Sequence, residues 1–313
     1  MAYQLKIGRP LEKELRRIAA RQLAAALQEI RTHPDGKRRE AIRAARRHVK
    51  RVRALLRLAH PRLHGVGAAT HRHLRCVNLM FGQVSDARAI AATWADVAQR
   101  YRHLLPRHAL PVLRVELERQ WDLADHKSGS DPGLRTAAKM LSKERKKVAD
   151  WRLTRSGFAA IAPGLEKTVR AARQAMKRCH TEPDFENYHV WRGRVKTWRL
   201  QMRLLQGRCG DGLAVDQERL ERLDGVLGEC DGCALLERVI CSVTVLPRQE
   251  LARCLRVLHT HQASLRARAR ELGRQIHGEK PRPFVKRVKS LWHEQRPGAR
   301  HVSTDVTSLL SAA

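Results

Sequence analysis

Aromatic residues, long apolar runs and acidic residues are all scarce in this sequence. Of 313 residues, only 4% are Phe, Trp or Tyr, which is few for a protein that binds single-stranded nucleic acid by stacking bases on aromatic rings. No run of about 18 apolar residues is present, which argues against a membrane-spanning helix. Asp and Glu total 31 against 63 Lys and Arg, for a formal net charge of +32. Such an excess of cations predicts a polyanionic partner.

Proline and glycine are also sparse, and the alternation typical of strands is nearly absent. The 12 Pro and 19 Gly separate long segments that are rich in Ala, Leu, Arg, Glu and Gln, which are strong helix formers. Hydrophobic residues make up 42% of the chain, which excludes a wholly disordered basic tail. The sequence therefore predicts an all-α protein.

Cysteine usage and the missing catalytic motifs bear on compartment and activity. The seven cysteines are an odd number without framework spacing, and the first residues, MAYQLKIGRP, are too polar for a secretory leader. Both features predict a reduced, cytoplasmic protein, and we interpret the isolated Cys230/Cys233 pair as inert. No P-loop, H-E-x-x-H motif or paired-aspartate cluster is present, and phosphoanhydride hydrolysis needs such groups. We therefore expect no enzymatic activity, no bound metal and no cofactor.

The chain contains a long internal repeat. Four cations recur 146 residues later, as Arg46/Arg192, Lys50/Lys196, Arg53/Arg199 and Arg57/Arg203. Upstream, Leu11-Glu12-Lys13 resembles Leu165-Glu166-Lys167 at an offset of 154. A repeat of this length predicts a duplicated fold with halves at 1–150 and 151–296. The Ser/Thr/Ala-rich segment 297–313 is predicted to be a flexible tail.

In each copy, cations spaced by three and four residues share one face of a helix. We name them the first basic row (Arg43, Arg46, Lys50, Arg53 and Arg57) and the second basic row (His189, Arg192, Lys196, Arg199 and Arg203). An apolar residue precedes each cation, so we expect a buried stripe beside each row, with Trp191 and Trp198 in the second.

The first row contains no acid between its ends. Like charges at i,i+4 destabilise a helix by about 0.2–0.5 kcal/mol per pair, and solvated helix faces usually interleave acids with bases. We expect the two rows to be brought together without compensating acids. A bound phosphate polymer would relieve the repulsion, since guanidinium groups suit phosphate oxygens.

Six further cations are candidates to extend such a surface. They lie in the helices before the rows or near the join of the halves, and they are Arg16, Arg170, Arg173, Lys177, Lys139 and Lys143. Charge alone does not separate a solvated side chain from one that binds a ligand.

The rows resemble the CHAD family, the conserved histidine α-helical domain. The family core H-x-x-R-x-x-x-K-x-x-R matches the second row from His189 to Arg199, and its other copy matches the first row except that Arg43 occupies the histidine position. A Gly-Leu-x-x-T segment is similar to residues 164–168, and a G-x-x-x-D turn is similar to residues 82–86. In the second half, Asp231 follows Gly228 by only three residues. The resemblance covers about residues 8–295.

The resemblance implies two four-helix bundles related by a pseudo-twofold, with basic side chains lining a central groove or pore. It implies binding of inorganic polyphosphate and recruitment to polyphosphate granules by a stand-alone binding domain. Arg43 in place of a histidine weakens the metal-chelating role once considered for the family's histidines. Nucleic acid, RNA in particular, is the alternative partner, since nonspecific phosphate binding needs only charge. No protein partner and no membrane association are indicated.

Overall fold

The computed structural model describes residues 3–32, 37–64, 67–81, 86–128 and 131–294. Within these ranges the regular elements are helices, and the β-type pairing is limited to one isolated antiparallel bridge between Leu63 and Leu153. The all-α prediction is confirmed. The predicted tail, 297–313, lies outside the described residues, and so do positions 82–85 of the G-x-x-x-D turn.

Helices follow one another in both halves of the chain. The α-helices before the join are α1 (Leu11–Arg31), α2 (Arg38–Ala59), α3 (Gly67–Met80), α4 (Asp86–Arg100), α5 (Ala109–Ser128) and α6 (Asp131–Lys147). Those after it are α7 (Ala162–Thr181), α8 (Phe185–Cys209), α9 (Ala214–Ser242), α10 (Arg248–His277) and α11 (Pro281–Glu294). None of the helices in the described ranges is long and apolar enough to cross a membrane.

The packing order places α2 and α8 at the centre. Helices α1, α2, α3 and α6 contact one another along the chain's first half, and α7, α8, α9 and α10 do so in sequence in the second. Helix α4 packs on α9, and α2 packs directly on both α7 and α8. The division at residue 150 and the two-bundle symmetry stay predictions.

The apolar stripes beside the two rows form much of the core. Val49 and Val52 of α2 are fully buried, and Trp191 and Trp198 of α8 are 0% and 1% exposed. The prediction for these two tryptophans is confirmed. Burying such side chains stabilises the fold by roughly 1.5–3 kcal/mol each for Val-sized or larger groups. It also fixes how α2 and α8 are rotated, and therefore which direction the adjacent cations face.

The Gly-Leu-x-x-T segment lets α7 cross α2 at very close range. A Cβ atom on Gly164 would lie 1.9 Å from the carbonyl oxygen of Leu58, a distance that no side chain tolerates. One helical turn later, Thr168 Oγ1 donates a hydrogen bond to the Gly164 carbonyl oxygen at 3.0 Å within the same helix. A glycine at this position is therefore required by the crossing of α7 over the end of α2.

Candidate anion-binding site

The contact between α2 and α8 brings parts of the two basic rows together. Gln201 Nε2 of α8 donates a hydrogen bond to the carbonyl oxygen of Ala54 in α2 at 3.1 Å. Arg57 Nη1 of α2 donates to Thr197 Oγ1 of α8 at 2.7 Å. These two hydrogen bonds fix the register in which one helix crosses the other. In this arrangement Lys196 of the second row is near enough to Lys50 of the first for its charge to lower the pKa of Lys50.

Lys50 and Lys196 are the central cations of the two rows. Both are half-buried. Neither forms an ion pair or a side-chain hydrogen bond among the described residues, and the acid whose charge acts on both is Asp224. Burial, and after it the charge of Lys196, lower the pKa of Lys50 to about 7. Burial also lowers the pKa of Lys196, against the opposing effect of the Asp224 carboxylate. A bound anion would favour the charged form of both ammonium groups.

Three other members of the first row, Arg46, Arg53 and Arg57, also lie close to other cations. Arg46 lies beside Lys50 and contributes to lowering its pKa. Burial, and after it the charge of Arg75, lower the pKa of Arg53. Burial, and after it the charge of Arg53, lower the pKa of Arg57 to about 10. Desolvation and neighbouring cations therefore disfavour charge along this row, which is the electrostatic setting of an anion site.

The second row is partly neutralised by acids of α9. The ion pairs are His189 Nδ1–Asp231 Oδ2 (3.0 Å), Arg192 Nη1–Asp231 Oδ2 (2.8 Å), Arg199 Nε–Asp224 Oδ2 (3.1 Å) and Arg199 Nη1–Glu221 Oε1 (2.8 Å). The expectation that both rows lack compensating acids is wrong for these three members of the second row. The acids come from another helix, so the charge pattern along α8 itself gave no sign of them.

The two buried aspartates hold the guanidinium groups in place. Asp224 is 7% exposed and Asp231 is 4% exposed, and Asp224 also lies 3.7 Å from Arg192 Nε. Each arginine contacts two carboxylates, through Nε and Nη1. A guanidinium group has five N–H donors, so the Nη2 donors are left for a further anion. The sequence did contain an indication of Asp231, because this aspartate lies one residue from the position that the G-x-x-x-D motif would give it in the second half.

Arg43 and Arg203, at the start of the first row and the end of the second, have other neighbours. Arg43 forms an ion pair with Glu40, Nη2 to Oε1, at 3.2 Å. Arg203 is exposed at the far end of the second row. Its charge, after burial, is the largest influence lowering the pKa of Arg51. Arg51 belongs to α2 but not to the row, so spacing within the row does not identify it as a neighbour of the second row.

Four of the six further candidates make no contact with the α2–α8 crossing within the part of the chain that the structure describes. Arg16 donates to the Trp151 carbonyl oxygen at 2.7 Å and pairs with an acid one turn before it in α1. Arg170 pairs with an acid within α7, and Arg173 Nη1 donates to the Glu279 carbonyl oxygen at 3.3 Å. Lys177 is exposed. The structure does not bring these four side chains to Lys50 and Lys196.

Lys139 and Lys143 line a separate surface cavity of about 780 Å³ between α6 and the end of α1. Arg31 and Lys146 lie on the same cavity, whose apolar floor includes Ile30. The two lysines are therefore part of a second basic surface, distinct from the contact between the rows.

Comparison with known proteins agrees with the residue pattern. The family model of the CHAD domain matches residues 21–241. No curated protein matches the sequence. The matched region contains both basic rows and the acids of α9 that contact the second row. Within the described residues, no group of three or more His, Cys, Asp or Glu side chains is arranged to hold a metal ion.

Proposed function

The chain belongs to the CHAD domain family, and from that premise we propose that it binds inorganic polyphosphate without hydrolysing it. Some members of the family bind polyphosphate. The proposed binding surface is the α2–α8 crossing, with the central members of the two basic rows in contact with the polymer. The surface cavity that Lys139 and Lys143 line is a candidate extension of this binding surface.

The observation that carries the proposal is the pairing of Lys50 with Lys196. Neither ammonium group forms an ion pair with an acid among the described residues. Burial, and after it the charges of Lys196 and Arg46, lower the pKa of Lys50 to about 7, and the Asp224 carboxylate offsets only part of this effect. A protein gains nothing in stability from such an arrangement, since desolvation and like charge both oppose it. A polyanion that enters between the rows would supply the missing countercharge.

The aromatic residues favour a polymer without bases. Trp191 and Trp198, which adjoin the second row, are buried in the core and so offer no platform for base stacking. Stacking contributes about 1–3 kcal/mol per base in proteins that bind single-stranded nucleic acid. Polyphosphate has only phosphates to contact, and that is what Arg and Lys supply. The net charge of +32 keeps nonspecific RNA binding as the competing function.

We further propose that polyphosphate binding recruits the protein to polyphosphate granules in the cytoplasm. In this view the protein acts as a binding module, with no phosphoryl transfer. Release of phosphate during incubation with polyphosphate and a divalent metal would contradict the non-enzymatic part of the proposal.

The proposal is tested by the affinity for long-chain polyphosphate at near-physiological salt, with DNA and RNA as competitors. The informative variant is Lys50→Gln/Lys196→Gln, because neither lysine leaves an acid unpaired when it is replaced. Lys286→Gln/Lys289→Gln on the exposed side of α11 is the matched control with the same change in net charge.

We expect the Lys50/Lys196 variant to bind polyphosphate at least about tenfold more weakly, which corresponds to about 1.4 kcal/mol. The α11 control should change the affinity by less than about twofold, since isolated surface charges contribute little at this salt. Equal losses in the two variants, or equal or stronger competition by nucleic acid, would reject the proposed site or the proposed preference. Co-purifying RNA that only nuclease removes would favour the RNA alternative.

A further inference from the structure

A cavity of about 610 Å³ lies where α7 crosses the end of α2, beside the α2–α8 contact. We name it the α2–α7 pocket. Its volume is in the range of small-molecule sites. The polar side chains that line it include Arg57, His71, Arg72, Lys167, Thr168 and Arg194. Among the described residues, no carboxylate lines the pocket.

One of the lining groups has no countercharge, and another has no hydrogen-bond partner. Arg57 is fixed by its hydrogen bond to Thr197, and the charges that act on it, those of Arg53, Arg194 and Arg75, are all positive. His71 Nε2 is shielded from solvent and has no hydrogen-bond partner among the described residues. An anion in the pocket would meet a fixed guanidinium group and an unused imidazole nitrogen, with further cations at the rim.

The repeat supplies an internal comparison for this pocket. At the offset of 146 residues, Arg57 corresponds to Arg203, and Thr197 corresponds to Arg51. At the offset of 154 residues that relates α7 to α1, Thr168 corresponds to Glu14. The corresponding place in the structure is therefore the surface between the end of α8 and α1.

That corresponding place is filled by the protein's own chain. The segment 3–6 lies across it, and the four contacts are Tyr3 Oη to the Arg51 carbonyl oxygen (2.8 Å), Gln4 Nε2 to Gln206 Oε1 (3.1 Å), the Leu5 amide to the Leu204 carbonyl oxygen (2.9 Å) and the Lys6 amide to Glu14 Oε2 (3.0 Å). The fit is close, since a Cβ on Gly207 would lie 2.3 Å from the Leu5 carbonyl oxygen.

The two places also differ in charge. Where the chain fills the space, buried Glu14 forms an ion pair with Arg17, Oε2 to Nη2, at 2.7 Å. In the α2–α7 pocket the same two positions are Thr168 and Ala171. One copy of the repeat is therefore occupied by a peptide segment and carries an acid, whereas the other is open, cationic and without an acid.

We propose that the α2–α7 pocket binds a compact oligophosphate of two or three linked phosphates, either a free molecule or the end of a longer chain. The pocket suits a short anion, because its cations surround a single cavity and do not extend along a helix. The free-molecule form of the proposal is independent of the proposed function of the rows. The chain-end form rests on that function.

The test gives the α2–α7 pocket the acid and the base that occupy the corresponding positions in α1. The variant Thr168→Glu/Ala171→Arg introduces the acid and base of α1 with no change in net charge, and sodium tripolyphosphate is the probe, titrated calorimetrically at fixed ionic strength. We expect at least tenfold weaker binding of tripolyphosphate. Unchanged binding by a variant with wild-type helicity would overturn the proposal.

A single substitution covers the case in which the double variant fails to fold. Lys167→Gln removes an exposed rim charge, and Lys13→Gln is its matched control at the same place in α1. We expect about a threefold to tenfold loss of tripolyphosphate affinity for the first variant and less than twofold for the second. Equal effects of the two variants, or sulfate binding as tightly as tripolyphosphate, would contradict a dedicated oligophosphate pocket.

The rows and the pocket are separated by comparing variants. Lys50→Gln/Lys196→Gln should weaken long-chain polyphosphate binding and leave tripolyphosphate affinity within about threefold. If long chains fail to bind but the pocket variants still lose tripolyphosphate, the function of the rows fails and the pocket stands. Competition that scales with the concentration of chain ends, at constant total phosphate, would assign the pocket to chain ends. Absence of competition by long chains would assign it to free oligophosphate.

Discussion

Lys50 and Lys196 occupy the same place in the two copies of the repeat, and the charge of Lys196 lowers the pKa of Lys50 across the α2–α8 contact. Neither lysine forms an ion pair with an acid among the described residues, although the Asp224 carboxylate opposes the lowering of both pKa values. The pair therefore opposes folding in the absence of a ligand and favours binding of an anion, and these opposite effects can be measured separately.

Replacing both lysines with methionine should stabilise the free protein and weaken polyphosphate binding. Methionine keeps the apolar stem and removes the desolvated charge, so we expect the free energy of unfolding at pH 7 to rise by about 1 kcal/mol or more. Urea denaturation without ligand measures the first effect, and polyphosphate titration measures the second. Lys286→Met/Lys289→Met is the control. A less stable Lys50→Met/Lys196→Met protein would show that the ammonium groups are satisfied in the fold.

Polyphosphate binding should take up protons above neutral pH. With a pKa of about 7, Lys50 is mostly neutral at pH 8, and a nearby anion raises that pKa and so protonates the amine. We expect an uptake approaching one proton per site at pH 8 and little at pH 6, where Lys50 is already charged. Calorimetry in HEPES and in Tris, which differ in ionisation enthalpy, measures the uptake.

The variant Lys50→Met is the control for this experiment. It retains the flanking charges that act on Lys50, namely Arg46, Arg192 and Asp224. Persistence of the full proton uptake in this variant would assign the titration to another group.

Removing the charge of Asp224 should strengthen polyphosphate binding and destabilise the fold. The Asp224→Asn variant frees Arg192 and Arg199 from a buried carboxylate, so we expect about threefold to tenfold higher affinity. Loss of a charged hydrogen-bonding partner costs about 1–3 kcal/mol of stability. Glu221→Gln is the control, since Glu221 is exposed and surface ion pairs contribute about 0–1 kcal/mol. A lower affinity in Asp224→Asn would show that the aspartate serves mainly to orient the arginines.

His277 should make the fold sensitive to acid. Its ring is 3% exposed and lies 5.4 Å from the Trp198 ring. Both of its nitrogens lack hydrogen-bond partners among the described residues. Burial, and after it the charge of Arg173, lower its pKa from 6.5 to about 4. The pKa of His277 is lower in the folded protein than in the unfolded chain. The contribution of neutral His277 to the free energy of unfolding is therefore complete above pH 6.5 and is lost as the pH falls towards 4.

The substitution His277→Phe should remove part of that loss. We expect the melting temperature of the variant to fall less between pH 6.5 and pH 4.5 than that of the wild type. His108→Phe, at a side chain that is 87% exposed, should keep the wild-type slope. His48 and His71 also have pKa values of about 4, so a residual slope is expected in His277→Phe. Identical slopes in all three proteins would contradict a role for His277.

The helices and the buried stripes were predictable because they depend on local spacing. The three- and four-residue intervals within α2 and α8 place Trp191 and Trp198 inside and the cations beside them, whatever the neighbouring helices are. Pairing of Arg199 with Asp224 depends instead on how α9 crosses α8, which no interval within α8 encodes. The same reason applies to the segment 3–6, whose place on α8 is set by contacts about 200 residues apart in the chain.

The aspartates of α9 also give the cationic side chains on the two sides of the α2–α8 crossing different conformational freedom. The guanidinium groups of Arg192 and Arg199 are tethered to buried carboxylates, so little rotamer entropy remains for them to lose when a ligand arrives. Lys50 on the opposite side has no tether and four rotatable bonds. A polyphosphate at this crossing would contact arginines of α8 whose fixed positions determine where the phosphates bind. On the α2 side it would contact a lysine that can change rotamer to follow the polymer.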